Sequence, residues 1–266
     1  MRVFKKLIYG CHGKLQCAII MQSEYHYHAV SFKLYKAYTA LQQKEVTFMK
    51  FFFLAAFITV SVIHLYASLK RNEKLRARTK VFILLFLLGW YCFSTDKVSK
   101  IVVSAILFSW LGDMLLIPDG NAWFSAGGVA FGLSHVFFII AYNINTDLAA
   151  VPLWVIIFAA AVYFTASVFV FNSLKPHLPK FLFCPLFIYL LVNGAMNCFA
   201  LYQLVSCPCA AAAITFIGAT QFFFSDSILF YVNFKKKAKL KTHFTVMLTY
   251  ITAEFLIVLG LEMLGM

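Results

Sequence analysis

The chain alternates long apolar segments with short polar ones, and this alternation dominates its pattern from residue 50 onward. The apolar runs are unbroken and lack the two-residue alternation of barrel strands, which favours membrane helices of about 20 residues each. The segments of this kind are residues 50–69, 81–95, 98–117, 126–142, 151–171, 181–203, 209–232 and 243–265. We therefore predict an all-α polytopic membrane bundle of about eight transmembrane helices, with 81–95 as its shortest and weakest span.

Composition supports a membrane protein over a soluble one. Hydrophobic residues make up 62% of the chain and charged residues 12%, whereas soluble domains are roughly 45–50% apolar and about 25% charged. The formal net charge of +13 could indicate nucleic-acid binding. Because the basic residues lie between apolar spans and form no continuous face, we predict no nucleic-acid partner. The protein is instead expected to be an integral, multi-pass membrane protein, in the plasma (inner) membrane if its source is bacterial.

The chain changes character at Met49, where a polar, basic segment gives way to an apolar one. Residues 1–48 contain no apolar run long enough to cross a membrane and no signal-peptide core. We predict two parts, a poorly structured basic extension at 1–48 and an eight-span membrane domain at 49–266. Our hypothesis is that the extension is non-native or mis-assigned.

Basic residues also indicate the orientation of the bundle. They concentrate in the segments 70–80 and 233–242, which lie on the same side of an eight-span bundle. The positive-inside rule places that side in the cytosol, so both termini are expected to face outward. The basic charge before Met49 opposes this orientation, which is a second reason to separate the extension from the membrane domain.

Three charged residues lie inside predicted spans: Asp113, Asp226 and Glu254. A charge at bilayer depth costs at least about 2.5–3.5 kcal/mol, so such a residue normally faces the bundle interior and has a function. The two aspartates lie at similar depths near the predicted cytosolic ends of spans three and seven. We therefore expect a shared site, with carboxyl oxygens about 4–9 Å apart by analogy with paired-carboxylate hydrolases. The alternative is a neutral acid that is hydrogen-bonded to another helix.

Small and polar residues mark the helix faces that carry these acids. Ser109 shares a face with Asp113, and Ser225 precedes Asp226. On span four, the motif Gly128-xxx-Gly132 predicts a close helix contact, with His135 on the same face. Asn193 and Asn197 form a further polar stripe on span six, which is either part of the site or interhelical hydrogen bonding.

A metal site is the next possibility to consider. The side chains with suitable chemistry are Asp113, Asp226, His64, His135 and His243. The chain has no local ligand motif such as H-E-x-x-H. We therefore predict no metal and no cofactor, and keep a His/Asp metal site as an alternative.

Several motifs resemble the YhhN family, the membrane lysoplasmalogenase family, from about Met49 to the C-terminus. The matching elements are Leu111-Gly112-Asp113, Gly127 through Tyr142 with His135, Gly218-Ala219, Phe224-Ser225-Asp226-Ser227 and Tyr250-Ile251-Thr252-Ala253-Glu254. The Gly-Asp and Ser-Asp elements are specific in combination, on the third and seventh of eight spans. A glutamine is expected more often in the family where Glu254 stands, which leaves the role of Glu254 open.

The resemblance implies a hydrolase that cleaves the vinyl ether bond of lysoplasmalogens to a fatty aldehyde and a glycerophospho-base. The expected partners are a lysophospholipid substrate within the bilayer and membrane lipids. Asp113 and Asp226 are the expected catalytic pair, because one carboxyl group can protonate the vinyl ether while the other stabilises the cation or activates water. Which aspartate has which role stays open. The supporting or substrate-binding residues are expected to be Ser109, His135, Asn193, Ser225, Tyr250 and Glu254.

Two other functions fit the same pattern. One is a membrane hydrolase of another lipid, with metal assistance from histidines and aspartates. The other is a transporter of lipids or small molecules, which often contains an internal repeat. The sequences around the two aspartates, 109–116 and 222–229, are loosely alike and suggest a duplication of four spans.

Overall fold

The computed structural model describes residues 42–144, 146–235 and 241–266, apart from the side chains of residues 241 and 242. The chain divides into two units, Met1–Phe48 and Met49–Met266. Residues 1–41 lie outside the described residues, so the expectation that this part of the N-terminal extension is poorly structured stays a prediction. Residues 42–48 are helical.

The regular structure of the described residues is entirely helical. Eight α-helices are present among them, and no β-strand. The helices are α1 (Gln42–Leu69), α2 (Glu73–Ser94), α3 (Lys100–Leu115), α4 (Asn121–Ile144), α5 (Leu153–Leu174), α6 (Phe183–Ser206), α7 (Ala210–Phe234) and α8 (Lys241–Met263). The predicted all-α bundle is therefore confirmed.

Within the described part of the chain, seven of the helices are long and apolar enough to cross a membrane. The exception is α3, which has 16 residues. It therefore extends about 24 Å, less than a hydrocarbon core of about 30 Å. The second span is not the shortest as predicted, since α2 has 22 residues, but its mean hydropathy of 1.3 is the lowest of the seven candidate spans in the described part of the chain. The protein is an integral, multi-pass membrane protein whose shortest helix carries Asp113.

The second helix begins earlier than the sequence predicts. The segment 70–80 was expected to be a loop because of its charges, but α2 already begins at Glu73. Asn72 caps the helix, because its side chain accepts a hydrogen bond from the backbone N–H of Leu75 at 3.1 Å. Most of the basic segment is therefore helical. Lys80 lies two turns inside α2, and its side chain is only 15% exposed.

Two helical hairpins make the most extensive contacts in the bundle, α3 with α4 and α7 with α8. Gly218 allows α7 to approach α8 closely, since a Cβ at this position would lie 2.8 Å from the backbone N of Ile257. Between the hairpins, α2 packs on α3 and α8, while α6 packs on α7 and α4. Helices α2–α4 and α6–α8 therefore make corresponding contacts.

The glycines of α4 do not make the predicted close helix contact. A Cβ at Gly128 would meet no atom within 4 Å, and the nearest atom to one at Gly132 would be Cδ2 of Tyr189, at 3.9 Å. Both glycines instead line a cavity of about 580 Å³, which we call the apolar groove. Its walls belong to α4, α6 and α7 and include Phe124, Val136, Leu186, Tyr189, Val192 and Phe230. The prediction about Gly128-xxx-Gly132 is therefore wrong, although His135 is fully buried as expected.

Candidate active site

Asp226, on α7, is the centre of a hydrogen-bonded cluster. Its side chain is 8% exposed, and its Oδ2 accepts hydrogen bonds from the Tyr189 hydroxyl and, at 2.8 Å, from Nδ2 of Asn193. Tyr189 and Asn193 are four residues apart on α6, so one face of that helix supplies both donors. Nε2 of His135, from α4, lies 3.5 Å from the same oxygen. Three helices therefore converge on one buried carboxyl group.

His135 is connected to Asp226 through Tyr189. Its Nε2 lies 3.1 Å from the Tyr189 hydroxyl. That hydroxyl has a single proton, which it donates to Asp226, so it accepts a hydrogen bond from the imidazole. Nε2 therefore carries a proton, and Nδ1 has no hydrogen-bond partner among the described residues. The imidazole packs edge-on against Phe222, with ring centroids 4.8 Å apart, which fixes its orientation.

Asp113 has a different kind of partner, a cation. Its Oδ1 lies 3.2 Å from Nζ of Lys80 on α2, and its Oδ2 accepts a hydrogen bond of 2.9 Å from the Tyr250 hydroxyl on α8. The aspartate is 3% exposed at its side chain and lies in the last turn of α3. The C-terminal end of a helix carries partial negative charge, so a carboxylate there is unfavourable unless a cation compensates it. Lys80 supplies that compensation.

Aromatic rings separate the two aspartate clusters. Phe222 contacts His135 on one side and Tyr250 on the other, with ring centroids 4.8 and 5.5 Å away. Phe131 packs against both Phe222 and Tyr250. An electrostatic interaction connects the two aspartates. The expected short distance between the two carboxyl groups stays a prediction.

Each cluster also reaches a different cavity. Tyr189, which donates to Asp226, lines the apolar groove. Lys80, which pairs with Asp113, lines a second cavity of about 630 Å³, which we call the polar cavity. Its walls include His64, Glu73, Lys74, Arg76, Lys80 and His243. Phe124 lines both cavities, so both reach the start of α4.

Glu254, the third intramembrane acid, lies outside both clusters. It is fully buried, and neither carboxyl oxygen accepts or donates a hydrogen bond of normal geometry within the described residues. Ser109 is a polar side chain that interacts with it. The Ser109 hydroxyl is hydrogen-bonded to that of Ser134 at 2.7 Å. Glu254 is therefore a buried ionisable group whose hydrogen-bonding capacity is unused.

The structure brings together some of the predicted supporting residues and places others elsewhere. His135 and Asn193 contact Asp226, and Tyr250 contacts Asp113. Ser225 has another role, because its hydroxyl donates to the backbone carbonyl of Val246 at 3.0 Å and so joins α7 to α8. Ser109 bonds to α4 through Ser134 and contacts neither aspartate by a hydrogen bond.

Two residues of these clusters were missed by the sequence analysis, Tyr189 and Lys80. Tyr189 lies one turn before Asn193, so the polar stripe on α6 contained the signal. Lys80 was counted among the basic loop residues that orient the bundle. Its position only becomes informative once α2 is known to begin at Glu73.

The predicted metal ligands are dispersed. Among the residues that the structure describes, no group of three or more His, Cys, Asp or Glu side chains could hold a metal ion. His135 accompanies Asp226, whereas His64 and His243 line the polar cavity near Lys80.

Comparison with known proteins identifies the family. The model of the YhhN family matches residues 75–261, which include both aspartate clusters. The match begins later than the resemblance predicts, since α1 lies outside it. No curated protein and no solved structure matches the chain. The YhhN family is associated with lysoplasmalogenase activity. Because its model covers most of the chain, the protein belongs to the YhhN family of membrane proteins.

Proposed function

We propose that the protein is a membrane lipid hydrolase that resembles lysoplasmalogenase. The substrate is a lysoplasmalogen, whose vinyl ether bond is cleaved to give a fatty aldehyde and a glycerophospho-base. The observation that carries the proposal concerns the two buried aspartates. Each contacts a side chain that lines a cavity, and the two cavities are different. Asp113 pairs with Lys80 of the polar cavity, and Asp226 with Tyr189 of the apolar groove.

The two cavities match the two ends of a lysophospholipid. Such a lipid has a single hydrocarbon chain and a phosphate headgroup, joined by glycerol. The apolar groove suits the chain, because its walls are almost entirely hydrocarbon. The polar cavity suits the headgroup, because lysine and arginine side chains line it. A lipid bound with its chain in one cavity and its headgroup in the other would have the bond that joins chain to glycerol near Phe124, which lines both.

The reaction requires one acid and one base or electrostatic stabiliser. A proton is added to the alkene carbon beyond the ether-linked carbon, which makes an oxocarbenium ion. Water then adds to the cationic carbon and loses a proton, which gives a hemiacetal. The hemiacetal collapses to the aldehyde and the free glycerol hydroxyl, so one water is consumed and the catalytic proton is returned. Two carboxyl groups with different protonation states meet these needs.

The partners of the two aspartates support different roles for them. Lys80 favours the carboxylate form of Asp113, which suits it to stabilise the oxocarbenium ion or to accept a proton from water. Asp226 uses Oδ2 to accept hydrogen bonds from two neutral donors, Tyr189 and Asn193. Neither donor is a lysine or arginine, so Asp226 lacks the cation that favours the carboxylate form of Asp113 and is the better candidate for the proton donor. We assign Asp226 as the acid and Asp113 as the carboxylate.

The proposal is tested with purified protein in neutral detergent and three matched lysolipids. They share chain length and headgroup but join the chain by a vinyl ether, a saturated ether or an ester. Release of fatty aldehyde from the vinyl ether alone is the expected result. Release of fatty acid from the ester would make the protein a different lipid hydrolase, and no product from any of the three would refute hydrolysis of lysolipids.

A transporter is the second candidate, and the correspondence between the two halves favours it. Both aspartates have partners from corresponding helices, α2 and α8 for Asp113 and α6 and α4 for Asp226. Parallel repeats of this kind occur in transporters. Protein-dependent movement of an intact lysolipid across the bilayer of a liposome, with no product formed, would favour this candidate over the hydrolase.

A further inference from the structure

The polar cavity concentrates positive charge at the start of α2, on the same side of the bundle as the C-terminal ends of α3 and α7. Lys74, Arg76 and Lys80 line it, with two acids, Glu73 and Asp119. Basic residues that only orient a membrane protein need to lie near the interface, with no requirement to share a cavity. Here three of them line one cavity of about 630 Å³.

Arg76 is only partly used by its protein neighbours. Its Nη1 donates to both carboxylate oxygens of Glu73, at 2.7 Å each. Its Nε is buried and has no hydrogen-bond partner among the described residues. A buried guanidinium donor without a partner is unfavourable, and an anion is the ligand that its geometry suits best.

His64 provides an independent sign of a ligand. It is 1% exposed and lines the polar cavity. Its Nδ1 lies 2.8 Å from the Thr79 hydroxyl, and that hydroxyl donates its proton to the backbone carbonyl of Leu75 at 2.8 Å. Nδ1 therefore donates to Thr79, which makes Nε2 an acceptor in the neutral imidazole. Nε2 is buried and has no hydrogen-bond partner within the described residues.

The cavity lies one helical turn from both aspartates. Leu116 and Leu229 line it, and each follows an aspartate by three residues, a rise of about 4.5 Å along a helix. Lys80 connects the cavity wall directly to Asp113. A group bound in this cavity is therefore within a short glycerol unit of the aspartate clusters.

We propose that the polar cavity is the binding site for the phosphodiester headgroup of a single-chain lipid. Arg76, Lys74 and Lys80 bind the phosphate, and Nε2 of His64 accepts a hydrogen bond from a hydroxyl or ammonium group of the headgroup. Glu73 and Asp119 favour a headgroup that also carries a positive charge. The inference rests on the proposed function for the identity of the lipid, but binding is measured without turnover.

The test measures binding to the full chain in neutral detergent, at fixed salt and without phosphate buffer. The probes are an ester-linked lysophosphatidylethanolamine, a monoacylglycerol of the same chain length, and inorganic phosphate. The ester-linked lipid has no vinyl ether, so its binding is independent of the proposed reaction. We expect it to bind about tenfold or more tightly than the monoacylglycerol, since charge-assisted hydrogen bonds hold its phosphate.

Variants on α2 locate the site. Arg76→Gln and Lys74→Gln should each weaken binding of the lysophospholipid several-fold and leave binding of the monoacylglycerol unchanged. Arg78→Gln is the matched control, because Arg78 is an exposed cation of the same helix that does not line the cavity. Lys74 is exposed, so Lys74→Gln keeps the test valid if Arg76→Gln fails to fold.

Three results would overturn the proposal. Equal affinity for the lysophospholipid and the monoacylglycerol would show that the phosphate is not recognised. An equal loss in Arg78→Gln would assign the effect to the general charge of the surface. Inorganic phosphate that binds as tightly as the lysophospholipid would identify a free phosphate site in place of a lipid headgroup site. Aldehyde release in the hydrolysis assay is a separate measurement, so the proposed function and this inference fail independently.

Discussion

Lys80 pairs with Asp113 across the α2–α3 hairpin, with Nζ 3.2 Å from Oδ1, and Asn193 bonds to Asp226 across the α6–α7 hairpin at 2.8 Å. In both pairs the aspartate follows its partner by 33 residues. Tyr250 of α8 and His135 of α4 complete the correspondence. One arrangement is thus built twice, with a cation beside one carboxyl group and neutral donors beside the other. This difference gives two like residues different chemistry.

Replacement of either aspartate by asparagine tests the catalytic pair. Asn keeps the size of the side chain but can neither deliver the proton nor carry the negative charge. Since proton transfer contributes about 10²–10⁴-fold, Asp113→Asn and Asp226→Asn should each reduce kcat by at least about a hundredfold. Aldehyde release measures the loss, and the elution volume in size-exclusion chromatography checks folding. A variant that keeps more than about a tenth of wild-type kcat would remove that aspartate from the catalytic pair.

The ion pair of Lys80 and Asp113 should also contribute to the free energy of unfolding. Lys80→Met leaves the Asp113 charge buried and unpaired, and the loss of one partner of a buried pair costs about 3–5 kcal/mol. The double variant Lys80→Met/Asp113→Asn has no charge to compensate and should recover much of this loss. Thermal unfolding in detergent compares the two variants. A double variant no more stable than Lys80→Met would show that the interaction contributes little.

The helical architecture could be predicted from the sequence because membrane spans require only length and hydropathy. The burial of Asp113, Asp226 and His135 could also be predicted, since ionisable groups avoid lipid. Helix boundaries near charges were harder to predict. Charged residues at 70–80 look like a loop, but the first turns of a helix tolerate them well, and the Asn72 cap fixes the start of α2.

The partners of the aspartates depend on tertiary contacts that a single sequence does not contain. A tyrosine within an apolar span, such as Tyr189, has the same local pattern whether it faces lipid or donates to Asp226. The spacing Gly128-xxx-Gly132 predicts close packing wherever a neighbouring helix is present. In this bundle α6 stands away from that face, so the same spacing forms a groove wall.

A larger side chain in the apolar groove should obstruct the substrate chain without unfolding the protein. A Cβ at Gly128 meets no atom within 4 Å, so Gly128→Leu can begin its side chain in open space and extend it into the groove. Each buried CH₂ group contributes about 0.8 kcal/mol, so displacement of a few of them should raise KM about tenfold. Ala161→Leu is the matched control, since Ala161 is exposed on α5 away from the groove. An unchanged KM in Gly128→Leu would place the chain elsewhere.

Ser225 and Asn193 should respond differently to substitution, although the sequence suggests supporting roles for both. Ser225→Ala removes one hydrogen bond between α7 and α8, which costs about 1 kcal/mol of stability, and should leave kcat close to the wild-type value. Asn193→Leu removes a donor to Asp226 and should reduce kcat about tenfold or more. Steady-state kinetics with thermal unfolding separates the two effects. A loss of kcat in Ser225→Ala as large as that in Asn193→Leu would show that Ser225 belongs to the active site.

The sequence leaves the role of Glu254 open, but its surroundings in the structure predict how substitutions there affect stability and kcat. It is fully buried, and no hydrogen bond of normal geometry reaches its carboxyl group from the described residues. Glu254→Gln should therefore unfold at the wild-type temperature or above it, because an amide cannot ionise and its NH₂ group can donate to the Ser109 hydroxyl. Its kcat should stay close to the wild-type value, since neither aspartate is bonded to Glu254. Glu254→Ala, which leaves a cavity, should instead be less stable. A loss of kcat of about a hundredfold or more in Glu254→Gln, with unchanged unfolding, would instead make Glu254 a third acid of the reaction.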